Sequence, residues 1–132
     1  MEIRQFRVVV KARDFDRTCR FYGETLALPR LQSWDRENGR GALFQAGAAA
    51  IEVLGRAHGG EGPGYDETFE YHGPQQKLVI ELMVPSAEKA YEQLQFRDRN
   101  IPGGLSTGAD GALVFETHDP DGVQVVFRQS LG

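Results

Sequence analysis

Polar side chains inside otherwise apolar runs are the first places to look for chemistry in this chain. Arg7, Glu52, Glu81, Gln124 and Arg128 each sit among β-branched or aromatic residues. A carboxylate there could serve as a general base, and a guanidinium could offer its donor fork to a carboxylate or phosphate. His118 is the natural candidate for a histidine base, close to Asp119 and Asp121. Yet Asp119-Pro120-Asp121-Gly122 is a turn sequence, whose carboxylates hydrogen-bond their own backbone, and the reading for His118 is a solvated turn histidine. His58 and His72 show no ligand spacing with another histidine or cysteine, as a metal site would want. Gly59-Gly60-x-Gly62 lacks the helix that would make it a phosphate loop. Cys19 reads as an inert thiol on the buried side of a helix.

Secondary structure must position these groups. The valine run of 6–11 reads as a strand, and Asp14 is a good N-cap for a helix to about residue 25. Phe15, Cys19, Tyr22 and Leu26 give that helix an apolar face. Strands follow at 30–34, 41–46 and 49–54, separated by polar or glycine turns. The order then repeats. A strand over 77–84 ends at Pro85, and Ser86 caps a helix through about residue 94, with Glu88 in its first turn and Lys89 where a capping box would need Glu or Gln. Ala87, Ala90, Tyr91 and Leu94 form its stripe, and strands near 104–106, 112–117 and 123–128 complete the half. The fold class is α+β: a β-α-β-β-β module over 1–54, a second over 77–132, and a glycine-rich connector or lid at 55–76. That connector is long for a compact domain, and its aromatics Tyr65, Phe69 and Tyr71 argue for an arm packed on the domain.

Composition narrows the function. With 132 residues and 40% apolar content, the chain can bury a core without disulfides or a structural metal. A formal charge of -4 and no basic stripe argue against nucleic acid as a partner. No apolar run is long enough to span a membrane, and the charged opening residues lack the apolar core of a signal peptide. A single cysteine excludes an intrachain disulfide and fits a reducing, cytoplasmic setting.

Several segments, in this order, resemble the vicinal oxygen chelate superfamily, which includes glyoxalase I, extradiol dioxygenases and bleomycin-resistance proteins. They are Asp14 with Arg20-Phe21-Tyr22, then Ala50-Ile51-Glu52-Val53, the Val84-Pro85-Ser86 junction, and Asp119-Pro120-Asp121-Gly122. The resemblance implies a cupped mixed sheet with helices on its outer face, and a homodimer. It also implies four ligand positions, on the first and last strand of each module. In this chain those positions hold Arg7, Glu52, Val79 and Val126. Arginine has no lone pair to give and valine no donor atom, so the resemblance is to the metal-free, bleomycin-resistance-like branch, with no metal and no cofactor.

Strand alternation places Phe6, Val8, Val10, Leu78, Ile80, Leu82, Val84, Val123, Val125 and Phe127 on a face under the helices. Arg7, Glu52, Val79, Glu81, Gln124, Val126 and Arg128 fall on the opposite face. There Arg7 is expected to form a buried pair with Glu52, serving either a ligand or the architecture alone. Glu81, Gln124 and Arg128 extend the polar lining. The resemblance gives Trp34 a stacking role, with partial exposure, while Phe44 is expected in the core. The reading is metal-independent binding of a small aromatic or anionic molecule through Arg7, Glu52, Trp34, Gln124 and Arg128. The alternative is an enzyme: a glyoxalase-like lyase, a dioxygenase, or a metal-free isomerase or epimerase. In the last, Glu81 is the candidate base, because an arginine beside Glu52 would hold it ionised.

Overall fold

The computed structural model of the chain describes residues 2–56, 78–98, 103–108 and 110–130. The connector expected over 55–76 lies outside the described residues from 57 on, and with it the lid, His58 and His72. The chain divides into two compact units, Met1–His72 and Gly73–Gly132.

Unit one runs β1 (Arg7–Lys11), α1 (Phe15–Arg20) continued by a π-helical turn (Phe21–Thr25), β2 (Arg30–Arg36), β3 (Gly39–Ala46) and β4 (Ala49–Gly55). Unit two repeats it with β5 (Val79–Val84), α2 (Ala87–Arg97), β6 (Ser106–Thr107), β7 (Leu113–His118) and β8 (Gln124–Gln129). Each unit is a four-stranded mixed sheet, in the orders β1-β4-β3-β2 and β5-β8-β7-β6. The first and last strands of each are parallel, and the other pairs antiparallel. The α+β class and the doubled β-α-β-β-β order are therefore both present.

Local signals set the helix starts. Asp14 Oδ1 accepts from the Arg17 amide at 3.2 Å, and Ser86 Oγ from the Lys89 amide at 3.2 Å. Each satisfies an amide that the first helical turn leaves open. The Ser86 cap works without a capping box, as its sequence requires. Helix α2 extends to Arg97, beyond its apolar stripe, and Phe96 is exposed there.

The helices cover one face of their sheets. In unit one Tyr22, Phe44, Ile51 and Val53 are fully buried, and an added Cβ on Gly55 would lie 2.6 Å from Phe15 Cβ, so helix and sheet meet closely. In unit two Phe115 stacks on Phe127 at 4.6 Å, and Tyr91 of α2 meets Phe115 edge-on at 5.2 Å. Burying each such aromatic contributes roughly 1.5–3 kcal/mol. The apolar face is shorter than alternation suggests. Phe6 and Leu78, assigned to it, are largely exposed, since each lies just before the first residue of its strand.

One residue sits in unfavourable backbone geometry. Ala27, just past the π-helical turn, has φ +56°, the left-handed region that favours glycine. Ala27→Gly is expected to stabilise the protein by about 0.5–1 kcal/mol. The urea midpoint should rise with an unchanged slope; a midpoint that falls would mean Ala27 makes packing contacts worth more than the strain.

Candidate functional site

The face of sheet one away from α1 carries the first group of candidate residues. In the β1–β4 register Arg7 lies opposite Ala50, and Val9 opposite Glu52. Arg7 thus reaches diagonally, two residues along β4, to place Nη1 3.0 Å from Glu52 Oε1. Its Nε donates to Gln5 Oε1 at 2.6 Å. The pair expected from the sequence forms, but it is not buried: the Arg7 side chain is 41% exposed and that of Glu52 17%. β1 is an edge strand of its sheet, and an ion pair exposed there adds little stability.

Trp34 lies on the same face. It pairs with Gly41 in the β2–β3 register, and a Cβ added to Gly41 would fall 2.0 Å from Trp34 Cζ2. The indole therefore lies flat across the glycine, half-buried, with the Arg36 guanidinium 5.9 Å from its ring. Gly41 is what permits this, and no motif marked it in the sequence. Phe44 points the other way, into the core, with the Arg30 guanidinium 5.0 Å over its ring.

Sheet two repeats the diagonal with the charges exchanged. Glu81 lies opposite Val126, and Met83 opposite Arg128. Arg128 Nε donates to Glu81 Oε1, again two residues along the last strand. Here the carboxylate is on the first strand and the guanidinium on the last, the reverse of Arg7 and Glu52. Arg128 Nη1 also reaches Asp110 at 2.9 and 3.0 Å. The Ala112 amide, and then Arg128, hold the Asp110 carboxyl below its usual range, while the Glu81 hydrogen bond raises Arg128. Gln124 donates to Glu116 Oε2, one strand over on β7. The sequence reading missed Asp110 and Glu116. Alternation along β7 would have put Glu116 on the Gln124 face, whereas Asp110 sits in a turn whose path no pattern fixes.

The two tempting residues take ordinary places. His118 is exposed at the end of β7, paired in register with Gln124. The neighbouring Asp119 Oδ1 instead accepts from the Asp121 and Val123 amides, at 2.8 Å each. Cys19 is buried against the sheet, and burial pushes its thiol up to about 11. It is therefore expected to resist alkylation by iodoacetamide at pH 8 in the folded protein and to react only on unfolding. Rapid modification of the native state would mean that α1 opens readily.

The four positions that the resemblance assigns to metal ligands occupy matching places in the two sheets. Val79 lies opposite Gln124, two residues before Val126, as Arg7 lies opposite Ala50, two before Glu52. Two valines, and a carboxylate already held by arginine, are not a donor set for a divalent cation. Among the described residues no three His, Cys, Asp or Glu side chains gather closely enough to hold one. No helix among these residues is long and apolar enough to cross a membrane.

Comparison with known proteins agrees with this architecture. The family model described as Glyoxalase/Bleomycin resistance protein/Dioxygenase superfamily matches residues 4–127. The uncharacterised protein YraH of Bacillus subtilis (strain 168) is 31% identical over 94 residues, 71% of this chain and 70% of that protein. Among solved structures, a glyoxalase I mutant from Zea mays superposes with a TM-score of 0.76 at 19% identity, covering 98% of this chain and 45% of that one. A protein of unknown function from Agrobacterium tumefaciens gives 0.69 at 23% identity, covering 99% and 97% of the two chains. At these identities the structural likeness speaks for the fold alone.

Proposed function

Since the chain belongs to the Glyoxalase/Bleomycin resistance protein/Dioxygenase superfamily, we propose that it binds a small organic molecule, aromatic or anionic, without a metal. The observation that carries this is the fate of the family's ligand positions, where Arg7 holds Glu52 and the other two side chains are Val79 and Val126. An arginine at a metal position replaces a bound cation with a fixed one. Its fork suits a carboxylate or phosphate, and the flat indole of Trp34 on the same face suits an aromatic ring. Gln124 and Arg128, the other two candidates, belong to the second sheet, where they donate to Glu116 and Glu81. A mostly apolar surface with a few placed polar groups is the usual form of a small-molecule site.

The competing reading is a metal-free isomerase or epimerase with Glu81 as base. Arg128 already donates to that carboxylate, so the group that would have to take a substrate proton is engaged by a guanidinium. The binding reading is therefore preferred. The family reading also carries a homodimer, which light scattering on the purified protein would check.

Trp34 is the chain's single tryptophan, so its fluorescence reports directly on the proposed face. Titration with 1-naphthoate is expected to change that emission saturably, equally with and without EDTA. Arg7→Met should weaken the binding about tenfold or more, as loss of a charge-assisted hydrogen bond would. Elemental analysis of the natively purified protein should find no stoichiometric metal. Binding that EDTA abolishes and a divalent ion restores would overturn the metal-free reading.

A further inference from the structure

A hollow of about 440 Å³ opens in unit two, between the segment that leads into β6 and the strands β7 and β8, on the face that carries Val126. Gly104, Ser106, Val114, Glu116 and Val126 line it. Val114 and Glu116 alternate to the same face of β7, and Glu116 lies opposite Val126 in register. Tyr91 fixes the glycine wall by donating its hydroxyl to the Gly103 carbonyl at 3.0 Å.

Among the described residues that line the hollow, Glu116 is the one ionisable group. Its partner is the uncharged amide of Gln124, on Oε2 alone. Oε1 is bonded by no described residue. Arg128 is the one lysine or arginine in the strands β5, β6, β7 and β8 themselves, and its guanidinium is shared between Glu81 and Asp110. Its guanidinium is thus engaged away from Glu116, and no hydrogen bond joins Glu116 to a lysine or arginine among the described residues. His118 lies two residues along on the same face of β7, in register with Gln124.

We propose that this hollow takes a protonated amine: Val114 and Val126 cover the apolar body of the ligand while Glu116 Oε1 accepts from its ammonium. This deepens the binding reading by giving the second sheet a ligand class distinct from that of the Arg7 face. Glu116 is exposed at the mouth of the hollow, and an ammonium meeting its carboxylate forms a charge-assisted hydrogen bond that a neutral or anionic analogue cannot match. Anions are excluded by the same charge.

The test is titration of the full chain with phenethylamine, 2-phenylethanol and phenylacetate, followed through backbone amide shifts in ¹H–¹⁵N spectra. Phenethylamine is expected to move the Val114, Glu116 and Val126 signals saturably, with an affinity that falls as salt rises. The alcohol should bind at least about fivefold more weakly and phenylacetate not at all at this place. Glu116→Gln should bring phenethylamine down to the alcohol's affinity, while Glu116→Asp retains most of the preference. If all three compounds bind alike, or Glu116→Gln leaves the preference intact, the ammonium assignment is wrong. That result would leave the Arg7 and Trp34 reading untouched, since it is followed through tryptophan emission. Absence of saturable shifts up to about 10 mM phenethylamine, below the weakest useful affinities, would remove the hollow as a ligand site altogether.

Discussion

Phe44→Ala is expected to destabilise unit one by about 3–5 kcal/mol. Phe44 is fully buried, its ring centroid lies 6.3 Å from that of Tyr22, and Arg30 closes over it from outside. It also touches the π-helical turn so closely that a Cβ added at Gly23 would come within 2.9 Å of its Cε1. Truncation would thus open a cavity bounded by a rigid strand on one side and a helical turn on the other, with little room to collapse. Urea unfolding followed by Trp34 emission reads this unit directly. A loss below about 1.5 kcal/mol would show that the helix settles into the gap, against the close packing described.

Asp119→Ala is expected to cost about 2–3 kcal/mol. One carboxylate oxygen takes two backbone amides, the residue is only 4% exposed, and Gly122 completes the turn at φ +82°. Alanine leaves both amides without their acceptor in a partly buried place. Asparagine keeps an acceptor oxygen and should recover more than half of the loss. Chemical denaturation followed by far-ultraviolet circular dichroism separates the two variants. Equal losses for both would mean that the charge, rather than the hydrogen-bonding geometry, holds the turn.

Much of the scaffold was legible in the residues themselves. The valine and β-branched runs, the Asp14 and Ser86 caps and the turn at 119–122 are short-range signals, and each does locally what its chemistry dictates. The Arg7–Glu52 pair followed from the family resemblance, which set the two positions around one centre. What stayed hidden depends on places the chain reaches by folding. Asp110 is 18 positions from Arg128, and only the path of the β6–β7 turn brings them together. Gly41 looked like one more glycine until the β2–β3 register laid Trp34 across it. The partial exposure of Arg7 was equally unreadable, because alternation tells which face a residue joins but not how much of that face is covered.

The π-helical turn carries a consequence for comparing this chain with its relatives. Phe21–Thr25 accommodates one residue more than an α-helical turn over the same rise, and both Phe21 and Tyr22 are buried there. A relative lacking one residue in this stretch could keep both helix ends in place with a regular α-helix. An alignment that puts the missing residue elsewhere between Phe15 and Leu28 would rotate the intervening positions by about 100° around the axis. Core residues such as Cys19 and Tyr22 would then be matched to a relative's surface. The gap belongs inside the turn, where its geometry absorbs the difference.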